Sequence, residues 1–107
     1  MPKTTPYTVI YALQTQEHLR WIEAKYRSLI RGHIERQLSF EPNVETRNRK
    51  PLRQPAPFGA AWEIRFGLNN RFRVLYDLDE TNRVVQVLAI GVKDRNRLIF
   101  ANEEVQP

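Results

Sequence analysis

The chain of 107 residues has no cysteine, four glycines, two histidines and no long hydrophobic run. Without cysteine there is no disulfide framework and no thiolate metal site, so a reducing cytoplasm suits the chain and secreted disulfide-stapled scaffolds are excluded. His18 and His33 fall 15 residues apart in one helical segment, away from any cluster of carboxylates. They read as helix-surface side chains, and neither a metal site nor a catalytic triad is expected. Gly32, Gly59, Gly67 and Gly91 are too scattered to form a phosphate-cradling loop, so no nucleotide cofactor is implied. The opening "MPKTTPYTVIYALQTQ" has one Lys ahead of a short apolar stretch broken by Tyr and Gln, which is too weak for a signal peptide or a membrane span. A cytoplasmic protein without membrane contact is expected.

What is present is positive charge. Seventeen Lys and Arg against twelve Asp and Glu give a net charge of +5, which favours an anionic partner. Arg47, Arg49, Lys50 and Arg53 lie in "RNRKPLR"; Arg65, Arg71 and Arg73 follow; Lys93, Arg95 and Arg97 lie in "KDRNR". Brought together by folding, these segments would form one basic surface of the kind that meets nucleic acid. Left apart, each is a solvated loop or strand face.

One domain is expected, with its core at about residues 7–100 and a loose tail over 101–107. "YTVIYAL", 7–13, reads as a strand. Thr15 is a candidate N-cap, with Glu17 in the first helical turn. Leu19, Ile22, Tyr26, Leu29, Ile30, Ile34 and Leu38 recur at helical spacing. The segment is long for so small a protein, which favours a hairpin of two helices broken near Lys25 to Ser28, the second ended by Pro42. A proline-rich basic connection runs to Gly59. "AAWEIRFG", "RFRVLYDL" and "RVVQVLAIGV" then read as three strands joined by the turns "LNN" and "DETN", an antiparallel meander. The fold class is α+β: an N-terminal strand and a helical hairpin packed on an antiparallel sheet of about four strands, in the order β-α-α-β-β-β.

Alternation assigns faces. Trp62, Ile64 and Phe66 share one face with Phe72, Val74 and Tyr76, which must pack on the helices; Glu63, Arg65, Arg71 and Arg73 fall on the other. The third strand is apolar on both faces and should be central. The second face becomes an exposed groove, rimmed by the basic connection and by "KDRNR". Trp21 and Trp62 read as core or partner-interface residues.

In this order and spacing, "NRKPL", "WEIRFG", "RFRVLYDL" and "AIGVKDR" resemble the RelE/ParE superfamily of toxins from type II toxin-antitoxin systems, over roughly residues 7–100. The resemblance implies one of three functions: a metal-independent endoribonuclease that cuts messenger RNA on the ribosome and so inhibits translation, a ParE-type toxin that poisons gyrase without catalysis, or a catalytically silent relative that binds an antitoxin. Under the first, Arg65, Arg73 and Lys93 correspond to the cations on the scissile phosphate, with Arg47, Arg49, Lys50, Arg53, Arg71, Arg95 and Arg97 holding RNA. Guanidinium groups suit this task because they fork onto phosphate and meet the charge that grows on its oxygens. The sequence departs from the RelE pattern at two places. Glu63 stands where a lysine is found, as a candidate general base or an ion-pair partner of the arginines. Ile99 and Phe100 stand where the site ends in tyrosine, so that Phe100 either stacks on a base or packs in the core. The resemblance further implies an antitoxin that wraps an acidic or amphipathic segment over the groove, and operator DNA bound by the toxin-antitoxin complex.

Overall fold

The computed structural model describes residues 5–105. β1 (Thr8–Tyr11) leads into helices α1 (Gln14–Arg20) and α2 (Ala24–Leu38), and β2 (Arg49–Pro51), β3 (Trp62–Phe66), β4 (Phe72–Asp79), β5 (Val84–Asp94), β6 (Arg97–Phe100) and β7 (Glu103–Val105) follow. The α+β class holds, with β3 to β5 as the expected meander, but the sheet has seven strands where about four are expected. Its order is β2-β3-β4-β5-β6-β7, antiparallel throughout, with β1 parallel to β5 and the helices forming the crossover. β5 is central, as its two apolar faces suggest.

The added strands come from segments that read as connection and tail. Arg49 to Pro51 extend β3 at one edge. At the other, "KDRNR" is the turn of the β5–β6 hairpin, and Glu103–Val105 pair back onto β6. The supposed tail is therefore sheet as far as Val105; residues 106 and 107 lie outside the described residues.

The helices begin and end elsewhere than expected. The break falls at Trp21 to Glu23 because Arg27, one turn into α2, reaches back to carbonyls at the end of α1: its Nε donates to Leu19 and Ile22 at 2.8 and 3.0 Å, and a terminal nitrogen to Arg20 at 3.1 Å. A cation that satisfies orphan carbonyls there also meets the negative end of the helix dipole. Thr15 is not the N-cap; it is buried in the first turn and donates its hydroxyl to the Ala12 carbonyl at 2.7 Å. α2 stops at Leu38, short of Pro42, whose carbonyl instead accepts the buried Tyr76 hydroxyl at 2.7 Å.

One core lies between helices and sheet, where Ile30, Ile34 and Leu38 of α2 meet Ile64, Val74, Tyr76, Val85 and Val87. Those helical residues are four apart, so one stripe of α2 is buried. A second cluster, on the opposite sheet face, holds Ala60, Leu75, Ala89, Leu98 and Phe100. A bulge shares β5 between them. Leu75 pairs with Ala89 but Tyr76 with Val87, which leaves Leu88 unpaired and shifts the alternation by one residue.

Both histidines are structural, and His18 is not a surface residue. It is buried, its Nδ1 accepts the Ile90 N–H at 3.1 Å, and its ring meets Phe58 and Phe100. His33 stacks on Phe66 with ring centroids 4.1 Å apart. Burial lowers the pKa of each; for His33 the charges of Arg36 and Arg49 add to this, while for His18 Glu103 and Glu17 oppose it. The unfolded chain then binds more protons below about pH 6.5, so this contribution is present above that pH and is lost as the pH falls through the lowered values. The melting temperature is expected to drop between about pH 7.5 and about 5, and the drop to flatten in the His18→Gln, His33→Gln double variant. An equal fall in both proteins would assign the acid sensitivity to other groups.

Candidate functional site: a basic cleft on the outer sheet face

Arg65 and Arg73 are direct cross-strand partners in the β3–β4 ladder, and Glu63 lies two residues along β3 on the same face. Opposed like charges destabilise a strand pair unless a counter-charge joins them. Glu63 does so: its Oε1 accepts from Arg65 at 2.9 Å and its Oε2 lies 3.8 Å from a terminal nitrogen of Arg73. Arg73 is further fixed by donating from Nε to the Asn70 carbonyl at 3.0 Å. That carbonyl belongs to the "GLNN" turn, where Asn69 and Asn70 both take positive φ.

Alternation gives the right face but the wrong exposure. Glu63 and Arg73 are 6 % and 8 % exposed, while the Arg65 side chain retains 27 %. The connection after β2 and the start of β6 cover this face with Leu52, Pro55, Pro57 and Leu98. Burial, and next the neighbouring Arg65 charge, pull the Arg73 pKa down, with Glu63 opposing them. A cation held this way gains from an added anion.

The triad forms the floor of a cleft of about 460 Å³. Lys50 and Arg53 stand on one wall, Lys93 and Arg97 on the other, giving six cations against the single Glu63 carboxylate. The two basic segments therefore rim one groove. Arg97 is partly committed, lying 3.7 Å from Asp94 and 3.8 Å from Glu104.

Five expected members are not in the cleft. Arg47 is exposed beside the Thr46–Arg49 bridge, and Arg95 is exposed in the β5–β6 turn at φ 59°. Arg49 faces inward: it is 5 % exposed and donates to Gln37 Oε1 and the Val44 carbonyl, both at 3.0 Å, so it ties β2 to α2. Arg71 lies at the other side of the sheet over the rings of Tyr26 and Phe72. Phe100 is 1 % exposed against Phe58 and His18, which decides for the core against base stacking. Sequence reading missed Asn70 and the apolar wall at Leu52, Pro55 and Pro57. The paired asparagines signal the turn that holds Arg73, whereas nothing local shows that the prolines fold back over β3.

A small α+β domain with a basic cleft on its outer sheet face is thus defined. No protein-family model and no curated protein matches the chain. Among solved structures it is similar to the crystal structure of the toxin-antitoxin complex RelBE2 from Mycobacterium tuberculosis, with a TM-score of 0.69 and 25% identity over 85% of this chain and 95% of that one. The likeness carries the sequence resemblance into three dimensions: the chain has the RelE fold of the RelE/ParE superfamily.

Proposed function

We propose that this chain is the toxin of a type II toxin-antitoxin pair and that it cuts messenger RNA on the ribosome, in the cytoplasm, using its own side chains without metal or cofactor. The observation that carries the reading is the convergence of Lys50, Arg53, Arg65, Arg73 and Lys93 on one cleft in a RelE fold. The 2′-oxygen attacks the adjacent phosphorus while the bond to the 5′-oxygen breaks, giving a cyclic phosphate and a 5′-hydroxyl. Arg65 and Arg73 meet the charge that develops on the phosphoryl oxygens. Glu63 Oε2, held only at 3.8 Å from Arg73, is the atom available to take the 2′-hydroxyl proton. Lys93 on the facing wall supplies a proton toward the leaving oxygen.

The partner in this reading is a cognate antitoxin laid over the cleft by an acidic segment, which would also stabilise the domain. Operator DNA is bound by the pair together. RelBE2 is itself a toxin-antitoxin complex. One observation favours a second reading, a silent relative or a ParE-type gyrase poison: Phe100 is buried, so the aromatic group at the end of the RelE site has no counterpart in the cleft.

The test uses Arg65→Ala, because this arginine is the most exposed of the three charges, and a thermal melt beside the parent shows whether the variant keeps its fold once the Glu63 carboxylate loses this partner. The protein is induced alone in cells and 5′ ends are mapped across the transcriptome. New ends inside translated codons, reduced about 10²- to 10³-fold by Arg65→Ala, are expected. Growth arrest with intact messages and broken DNA would replace this reading by the gyrase one, and no arrest by the silent one.

A further inference from the structure

A second cleft, of about 400 Å³, opens on the helical side of the sheet, between the α1–α2 connection and the ends of β4 and β5. Apart from Lys93, none of its lining residues takes part in the cleavage just described. Trp21, the residue that closes α1, lines it while 58 % exposed, an unusual state for the largest apolar side chain. Arg71 lies in the same wall with its guanidinium 5.2 Å from the Tyr26 ring and 5.1 Å from the Phe72 ring. Stacking of this kind occupies the faces of the guanidinium and leaves its N–H edge free to donate.

Lys93 lines both clefts. Its backbone N–H donates to the Arg71 carbonyl at 2.7 Å, and both residues line the second cleft. Among the described residues neither is in an ion pair. The two carboxylates in the cleft are engaged elsewhere, Glu23 with Lys25 at 3.6 Å and Asp94 with Arg97 at 3.7 Å. A basic track therefore runs from Arg65 and Arg73 over Lys93 and Arg71 to an exposed indole.

We infer that this second cleft is a subsite for single-stranded RNA: Trp21 stacks on a base flanking the cut, and Arg71 with Lys93 holds the phosphate between the two clefts. The inference rests on the ribonuclease reading. Alternating cation and aromatic contacts along a groove are how proteins bind unpaired strands, because every base has a face to stack while the backbone charge is uniform. An acidic peptide would use the cations but leave the indole without a planar partner.

The protein has two tryptophans, so Trp62→Phe leaves Trp21 as the sole reporter. Titrating that variant with a short oligouridylate should quench the indole emission. Trp21→Ala should weaken binding by roughly 5- to 150-fold, with Trp21→Phe recovering part of the loss. Arg71→Ala should reduce the salt dependence of log affinity by about 0.7. Trp21 is solvent-facing, so thermal melts of its variants should match the parent. RNA binding without quenching, affinity of Trp21→Ala within about twofold of the parent, no binding of the oligonucleotide, or quenching by an acidic peptide alone each overturns the inference. The two readings fail separately. Quenching in a protein that makes no Arg65-dependent cuts keeps the subsite and removes the nuclease, whereas Arg65-dependent cutting with an indifferent Trp21 does the reverse.

Discussion

Arg73→Glu is expected to lower the free energy of unfolding by about 3–5 kcal/mol, the usual cost of breaking a buried ion pair by removing one partner. In sequence this arginine reads as exposed, and reversing its charge would then abolish function on an intact fold. The geometry overturns that expectation. Arg73 is 8 % exposed and shares the Glu63 carboxylate with Arg65. The substitution sets two buried carboxylates beside one guanidinium and leaves the Asn70 carbonyl without its donor. A domain of ordinary stability has only about 5–15 kcal/mol in all, so the variant keeps little margin and its loss of toxicity would report folding as much as chemistry. Urea titration of parent and variant measures the difference directly. A change below about 1 kcal/mol would show that the triad is solvated and that charge in this cleft is read only by a ligand.

The same residues show what the sequence can and cannot disclose. Period-two alternation over Trp62 to Phe66 and Phe72 to Tyr76 assigns each side chain to its face, since a strand has no other arrangement once one face is apolar. Exposure is a different quantity. It depends on how Leu52 and the prolines of the preceding connection, with Leu98 of β6, line the same cleft, which strand alternation does not encode. Thus Glu63 and Arg73 lie on the expected face at an unexpected depth.

Short strands fail for a related reason. Arg49–Pro51 and Glu103–Val105 have no strand-like composition of their own and are ordered by the neighbours they pair with. Once β2 is a strand, its alternation separates two adjacent cations: Arg49 turns in toward Gln37 while Lys50 lines the cleft. A reading that treats the segment as an irregular basic loop has no means of telling them apart. The helix break gives a milder case. The length of the helical segment favours a hairpin, but the position of its break is fixed by Arg27 reaching back to α1, a contact visible only with both helices in place.

Phe100→Ala is expected to cost about 3–5 kcal/mol, the range for truncating a fully buried phenylalanine. The ring is 1 % exposed, with its centroid 5.1 Å from that of Phe58 and 5.7 Å from that of His18. It also occupies the space above Gly91, where a Cβ would lie 2.6 Å from two ring carbons and 2.8 Å from the Ile99 carbonyl oxygen. Gly91 is thus required by a close approach, and Gly91→Ala should destabilise through the same contact by about 1–3 kcal/mol, as overpacking does. The second cluster is small, so little surrounds the vacated space that could collapse into it. In urea the midpoint of Phe100→Ala should fall with an unchanged slope. Phe100→Tyr should in turn add no cleavage activity, because its hydroxyl would enter the cluster with His18 and not the cleft with Arg65. A loss under about 1 kcal/mol for the alanine variant, or a gain of cutting in the tyrosine variant, would instead place this ring at the mouth of the site, as the RelE pattern has it.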